Sequence, residues 1–205
     1  VPEMLNDKKY VLKNHQKEAI NKWNRNSHRG ILKLATGAGK TITALHAATH
    51  LSTHKRRLVL VIAVPYQDLA EQWVANLSQF NMKRPVKCWN NKASWKDKLK
   101  RNIQNYKMGI IDFLAVVVVN NSMKTEYFKK TIQSLDKDQI MFIGDECHHH
   151  GATTAYEFLP DALYRMGLSA TPYRSEEAEI ETVAEEEGVE EREEGGGVGR
   201  GGGGE

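Results

Sequence analysis

The residues best suited to chemistry lie in the segment LATGAGKT, residues 34–41, between an apolar run and an alanine- and leucine-rich run. Glycines at 37 and 39 let backbone N–H groups converge on an anion. A helix beginning at Lys40 would point the positive end of its dipole at the same place. Lys40 can contact the β- and γ-phosphates of a nucleotide, and Thr41 can offer its hydroxyl to Mg²⁺.

The spacing of this segment predicts a phosphate-binding loop of the pattern GxxxxGK[ST], with Leu34 in place of the first glycine. The alternative is a glycine-rich turn that holds no ligand. The predicted nucleotide-binding residues of the loop are Thr36, Gly37, Ala38, Gly39, Lys40 and Thr41.

A second candidate segment, QIMFIGDECH at residues 139–148, ends an apolar run with two adjacent carboxylates. We expect Asp145 to hold Mg²⁺ and Glu146 to polarise an attacking water, because water is a poor nucleophile at neutral pH. A carboxylate pair after a strand is weak evidence alone. Together with the loop at Lys40 it predicts a nucleotide-hydrolysing site whose catalytic residues are Lys40, Asp145 and Glu146.

The elements that must position these residues alternate between helix and strand. Periodicity and apolar runs predict helices over 12–26, 41–54, 66–80, 94–106, 123–135 and 155–163, and strands over 30–35, 57–64, 86–89, 113–119, 139–144 and 166–169. This alternation predicts an α/β fold with a mostly parallel sheet covered by helices on both faces. Ligands of such sheets bind at the carboxyl ends of the strands. We expect Trp23 and Trp73 to pack in the core rather than to stack on bases.

Charge is divided unequally along the chain. The net charge is +3, but residues 175–205 hold 12 acidic and two basic residues, so residues 1–174 carry +13. A basic body suits a polyanion such as nucleic acid, although it could also be a solvated surface. The apolar runs are too short to cross a membrane, and we see no secretory signal. With only two cysteines, the chain is expected in the cytoplasm, or in the nucleus if eukaryotic.

The last 31 residues, 175–205, are rich in glutamate and contain nine of the 16 glycines. Such a composition cannot bury enough apolar surface to offset its ordering entropy. We therefore predict one domain over residues 1–174, followed by a disordered or artefactual tail. The alternative is an acidic tail that competes for a basic nucleic-acid groove.

Five segments resemble, in order, the motifs of the first RecA-like domain of a superfamily 2 helicase or translocase of the DEAD/DEAH-like, DECH-box type. They cover residues 12–16, 35–41, 64–73, 145–148 and 169–171, with sequences LKNHQ, ATGAGKT, VPYQDLAEQW, DECH and SAT. The resemblance spans roughly residues 8–174. It is most similar to the XPB-like and restriction-associated branch.

The resemblance also implies roles for single residues. Gln16 would read the adenine edge, since an amide offers a donor and an acceptor together; the alternative is a glutamine on the helix surface. His148 would couple the γ-phosphate site to Ser169 and Thr171. The residues implied in contact with the nucleic-acid backbone are Pro65, Tyr66, Gln67, Asn120 and Asn121.

The cofactors implied are ATP and Mg²⁺, and the partner is nucleic acid, DNA more than RNA. The family works with two RecA-like domains, and none follows residue 174 in this sequence. We therefore expect weak Mg–ATP binding and turnover below about 1 s⁻¹. Alternatives are an RNA helicase, the motor of a restriction or phage-defence system whose nuclease lies elsewhere, and a nucleotide-gated binding module. No membrane partner is expected.

Overall fold

Helices and strands alternate along the chain. The strands form a single sheet, and the helices cover both of its faces. The computed structural model describes residues 11–35, 39–89, 94–145, 160–171 and 179–181. The helices are α1 (Asn14–Arg25), α2 (Lys40–Lys55), α3 (Gln67–Gln79), α4 (Ser94–Lys107), α5 (Asn120–Met123) and α6 (Glu126–Gln133). The strands are β1 (Arg29–Ala35), β2 (Leu58–Val64), β3 (Val86–Cys88), β4 (Phe113–Val119), β5 (Ile140–Gly144), β6 (Tyr164–Thr171) and β7 (Glu179–Glu181).

The sheet has the strand order β3-β4-β2-β5-β6-β1-β7, and each neighbouring pair except β1 and β7 is parallel. Every residue of β2 is buried, and so are the five central residues of β4. Both strands are continuous apolar runs, as expected for parallel strands covered on two faces. The predicted α/β fold with a mostly parallel sheet is confirmed.

Two apolar clusters fill the space between the sheet and its helices. Alternate residues of β2 point to opposite faces, so Leu60 and Ile62 belong to one cluster and Val59 and Val61 to the other. The first cluster includes Trp23 of α1, Leu45 of α2, and Trp73 and Leu77 of α3. The second includes Leu99 and Tyr106 of α4, and Phe128 and Ile132 of α6.

The helix predicted over 123–135 is present as the shorter α6, and α5 before it was not predicted. Thr125 lies between them with extended backbone angles, and its Oγ1 accepts a hydrogen bond of 3.4 Å from the backbone N–H of Phe128. A threonine in this position caps the start of a helix. A new helix therefore begins at Glu126.

The end of the predicted helix 155–163 also differs. Pro160–Leu163 is not helical, and residues 155–159 lie outside the described part of the chain. The backbone N–H of Leu163 donates to the carbonyl of Lys137 at 2.8 Å, which replaces a bond within a helix. Strand β6 begins at Tyr164 and runs to Thr171, further in both directions than the predicted 166–169.

Within the segment predicted as a tail, the structure describes only Glu179–Glu181, which pair as β7 with β1. The domain boundary at residue 174 stays a prediction. Among the residues that the structure describes, no helix combines the length and the apolar character needed to cross a membrane.

The central position of β2 generates a stability prediction. Ile62 is fully buried in β2, whereas Ile110 is 64% exposed. We expect Ile62→Ala to lower the free energy of unfolding by about 3 kcal/mol, because it removes buried methyl groups and leaves a cavity. The control Ile110→Ala should change it by less than about 0.5 kcal/mol. Urea unfolding followed by circular dichroism measures both, and equal midpoints would contradict the assigned core.

Candidate functional site

The predicted site residues follow parallel strands whose carboxyl ends lie at one edge of the sheet. The register pairs Ala35 at the end of β1 with Thr171 of β6, and Gly144 at the end of β5 with Gly167 of β6. Strand β6 thus lies between β1 and β5, which are two strand spacings, or about 10 Å, apart. The loop after β1 and the carboxylate after β5 are therefore brought to the same edge.

The described end of the predicted phosphate loop has two features that favour the binding of an anion. Gly39 adopts a positive φ of 87°, which a side chain would strain. Helix α2 begins at the next residue, Lys40, and Thr41 lies half-buried in its first turn. Thr36, Gly37 and Ala38 lie outside the described residues.

The ammonium group of Lys40 folds back towards the strand from which the loop departs. Its Nζ donates a hydrogen bond of 3.2 Å to the backbone carbonyl of Leu34, near the end of β1. The lysine thus spans the loop and places its positive charge at the edge of the sheet. A hydrogen bond from a cation to a neutral carbonyl is weaker than one to an anion, so an anionic ligand could replace Leu34 as the acceptor.

Gln16 connects helix α1 to the same loop. Its Oε1 accepts from the backbone N–H of Lys13 at 2.9 Å, and its Nε2 donates to the carbonyl of Gly39 at 3.4 Å. Gln16 is only 1% exposed, so the alternative of a glutamine on the helix surface is wrong. Each end of the amide has a second hydrogen-bonding position. Recognition of adenine stays a prediction.

Asp145 directly follows β5 and is 8% exposed. Its backbone N–H donates to the carbonyl of Ala63 at 2.9 Å, which extends the pairing of β5 with β2 by one residue. Its Oδ2 accepts a hydrogen bond of 2.7 Å from Nε1 of Trp73. The carboxylate is therefore held through both its backbone and its side chain at the edge that also carries Lys40.

The residues predicted to couple the site are only partly described. Ser169 is half-buried in β6 and lies opposite Lys33 of β1, between the phosphate loop and the Asp145 strand. Thr171 ends β6, and only its backbone is described. Glu146 and His148 lie outside the described residues, so their roles stay predictions.

The residues predicted to contact nucleic acid follow two neighbouring strands. Tyr66, in the turn after β2, is 57% exposed, and Gln67 beside it is also exposed. After β4, Asn121 is exposed whereas Asn120 is buried. Because Val64 and Val119 are paired in register, the two turns begin side by side. Pro65, in the first turn, is half-buried.

Sequence reasoning missed one contact of the candidate site. Trp23 and Trp73 are each 1% exposed, which confirms the prediction that they pack in the core. However, the indole of Trp73 also donates its N–H to Asp145, and that of Trp23 donates to the carbonyl of Arg165 at 2.8 Å. A buried indole needs an acceptor for its N–H. From the sequence one could therefore expect an acceptor for each indole N–H, but not which residue supplies it.

Comparison with protein families adds a match over most of the chain. The family model described as "Type III restriction enzyme, res subunit" matches residues 9–174. The match includes all the predicted site residues.

Two relatives are named as motors. The chain is 27% identical over 182 residues to a protein named as helicase 22 of Sulfolobus islandicus filamentous virus (isolate Iceland/Hveragerdi), covering 86% of this chain and 31% of the relative. It is 28% identical over 179 residues to "DNA 3'-5' translocase XPB2" of Sulfurisphaera tokodaii, covering 86% of this chain and 34% of the relative. The chain thus spans about a third of the length of these curated relatives.

A solved structure supports the fold. A nuclease-deletion mutant of the Type ISP restriction-modification enzyme LlaGI, in complex with a DNA substrate mimic, superimposes with a TM-score of 0.59 and 20% sequence identity. The similarity covers 86% of this chain and 19% of that one. At this level of identity the likeness concerns the fold.

The buried amide of Gln16 generates a prediction for the site. We expect Gln16→Glu to lower the free energy of unfolding at pH 8 by about 1–3 kcal/mol, because an ionised carboxylate cannot donate to the Gly39 carbonyl and is buried without that bond. Gln72→Glu on the exposed face of α3 is the matched control and should change the stability little. Thermal unfolding compares them. Equal loss in both variants would show that Gln16 does not join α1 to the loop.

Proposed function

Because the chain belongs to the type III restriction enzyme res-subunit family and forms the first RecA-like domain of a superfamily 2 helicase-type ATPase, we propose that it binds Mg–ATP at the carboxyl edge of its sheet. Hydrolysis then requires a second RecA-like domain and is stimulated by nucleic acid. The observation that carries the proposal is that Lys40 and Asp145 both follow strands ending at the same edge of the sheet, with β6 between those strands.

The proposed phosphate-binding step uses Lys40 and the start of α2. Lys40 exchanges the neutral carbonyl of Leu34, which its Nζ contacts at 3.2 Å, for phosphate oxygens. Charge-assisted hydrogen bonds are roughly twice as strong as neutral ones, so the exchange favours the nucleotide. The start of α2 contributes backbone N–H groups and the positive end of the helix dipole. Thr36, Gly37, Ala38 and Gly39 complete this loop in the proposal.

The oxygen groups present suit Mg²⁺. This ion binds proteins through one or two carboxylates together with substrate phosphates. Asp145 would supply the carboxylate and Thr41 the hydroxyl. Bound Mg²⁺ neutralises charge that develops on the phosphate oxygens. Glu146, next to Asp145 in the chain, would orient the attacking water and accept its proton.

The proposed need for a second domain rests on transition-state charge. In related NTPases an arginine supplied by another domain or protein is worth about 10³–10⁵ in rate. The relatives are about three times as long as this chain, which spans 31% and 34% of them. His148, Ser169 and Thr171 would relay the nucleotide state between the domains.

The proposed partner is nucleic acid, DNA rather than RNA. Residues 1–174 carry a net charge of +13, and a basic surface favours phosphate backbones. One relative is named as a DNA translocase, and the LlaGI structure contains a DNA substrate mimic. Contacts would come from the exposed turn at Pro65, Tyr66 and Gln67 and from Asn120 and Asn121. Such contacts set position rather than sequence choice.

A second candidate function is the motor of a restriction or phage-defence system, which the description of the family favours. In that case the same ATP site would serve a nuclease in another domain or subunit. Co-purification of the full-length protein with a nuclease would support this candidate. A full-length protein that translocates on DNA alone would favour an independent motor.

The ATP site is tested with the chain itself. We expect it to bind a fluorescent ATP analogue with Mg²⁺ and to hydrolyse ATP at less than about 1 s⁻¹. Lys40→Ala should weaken binding at least about tenfold, since it removes a charged phosphate contact worth more than about 1.4 kcal/mol. Lys55→Ala, at the other end of α2, is the control and should bind normally.

Two outcomes of this experiment would contradict the proposal in different ways. Binding that is indifferent to Lys40 would remove the phosphate site. Turnover well above 1 s⁻¹, stimulated by nucleic acid, would mean that copies of this chain supply the second domain to each other.

The nucleic-acid surface is tested with two exposed apolar residues. Tyr66 lies at the carboxyl edge of the sheet, whereas Met108, 65% exposed, lies just before β4 at the opposite edge. We expect Tyr66→Ala to weaken binding of DNA about fivefold, equally for different base sequences, because the contact is to the backbone. Met108→Ala should have no effect. Equal affinities of the two variants would place the nucleic acid elsewhere, and tighter binding of matched RNA would favour the RNA alternative.

A further inference from the structure

The indole N–H of Trp73 donates a hydrogen bond to the carboxylate of Asp145. The bond from Nε1 to Oδ2 is 2.7 Å long, and it joins residues that are 72 positions apart in the sequence. Trp73 is 1% exposed and Asp145 is 8% exposed. The bond therefore lies away from bulk water, where a polar contact is stronger and its loss is more costly.

A hydrogen bond to one carboxylate oxygen fixes the rotation of the whole group. An indole N–H is a donor only and carries no charge. It can therefore orient the carboxylate without neutralising its charge. A lysine or an arginine in the same place would neutralise it. The carboxylate keeps its attraction for a cation while it loses rotational freedom.

The donor is itself held rigidly. Trp73 lies on the buried face of α3 together with Ala70 and Leu77, each of which is 0% exposed. All three belong to the apolar cluster that covers the sheet. The indole therefore has little freedom to follow a moving carboxylate, and its N–H favours one orientation of the carboxylate.

We propose that Trp73 is a positioning residue for magnesium: its N–H holds Asp145 in the orientation in which the carboxylate receives the Mg²⁺ of a bound nucleotide. This inference rests on the proposed function of the site. Residues that orient a metal-binding side chain typically contribute about 10–100-fold to metal affinity or activity.

The test compares two tryptophans in the same environment. Trp73→Phe removes the indole N–H and keeps an aromatic ring. Trp23→Phe makes the same change at a residue that is equally buried, belongs to the same cluster and donates to the backbone carbonyl of Arg165 instead. Both variants should lose similar stability in thermal unfolding, so a general loss of packing affects them alike.

The measurement is the binding of a fluorescent ATP analogue to the 205-residue chain, first in EDTA and then over a range of Mg²⁺ concentrations. We expect Trp73→Phe to bind the analogue in EDTA as the unchanged chain does, but to need about tenfold more Mg²⁺ for half of the metal-dependent gain. Trp23→Phe should keep the Mg²⁺ dependence of the unchanged chain.

The outcomes separate this inference from the function on which it rests. If the unchanged chain binds no nucleotide, or binds it without regard to Mg²⁺, the proposed function fails and the role of Trp73 fails with it. If the unchanged chain responds to Mg²⁺ and the two phenylalanine variants respond identically, only the positioning role is overturned.

A second measurement needs no substitution at position 73. The chain has four tryptophans, and their indole N–H signals can be resolved by ¹⁵N NMR and assigned through Trp23→Phe, Trp89→Phe and Trp95→Phe. When Mg²⁺ is titrated into the chain saturated with ADP, the Trp73 signal should shift while the Trp23 signal stays in place. A Trp73 signal that moves no more than that of Trp23 would overturn the proposal even if Trp73→Phe fails to fold.

Discussion

The site depends on the parallel pairing of β1, β6, β5 and β2, because that pairing brings the ends of distant strands to one edge. Parallel strands require a crossover between them, so each strand that ends at this edge is followed by a turn or helix that starts there. Lys40 begins α2 and Gln67 begins α3 in this way. The same constraint places Asp145 after β5. Chemistry that needs a cation and a carboxylate together is thus assembled from segments far apart in the sequence.

Three described residues at this edge, Lys40, Gln16 and Trp73, each donate a hydrogen bond to another part of the protein, and the two buried ones would be costly to leave unpaired. The three hydrogen bonds differ in whether a ligand can replace the acceptor. Lys40 binds a neutral carbonyl that a phosphate can replace, whereas Gln16 and Trp73 bind atoms that stay part of the site. The first bond keeps a charge ready for a ligand, and the other two keep the loop and the carboxylate in position. If the proposed function holds, bonds that already position Gln16 and Asp145 would lower the cost of binding a nucleotide.

The sequence predicted the alternation of helices and strands, because it depends on local patterns. It also predicted which residues follow the strands, because ligands of parallel sheets bind at the carboxyl ends of the strands. The start of α6 could not be predicted in this way, because it is set by the hydrogen bond that Thr125 accepts from Phe128 and not by the spacing of apolar residues. Gln16 is held by a contact with Gly39, which lies 23 positions further along the chain, and Trp73 by a contact with Asp145, which lies 72 positions further. A pattern along the chain carries no information about such distant partners.

Two separate connections join the exposed turn after β2 to Asp145. The first is in the backbone, where the N–H of Asp145 donates to the carbonyl of Ala63, two residues before the turn begins at Pro65. The second is through α3, which starts at the turn and carries Trp73 to the carboxylate about 9 Å further along its axis. Close-packed interiors transmit strain rather than absorb it. The position of the turn is thus tied to that of Asp145 once through the backbone and once through α3.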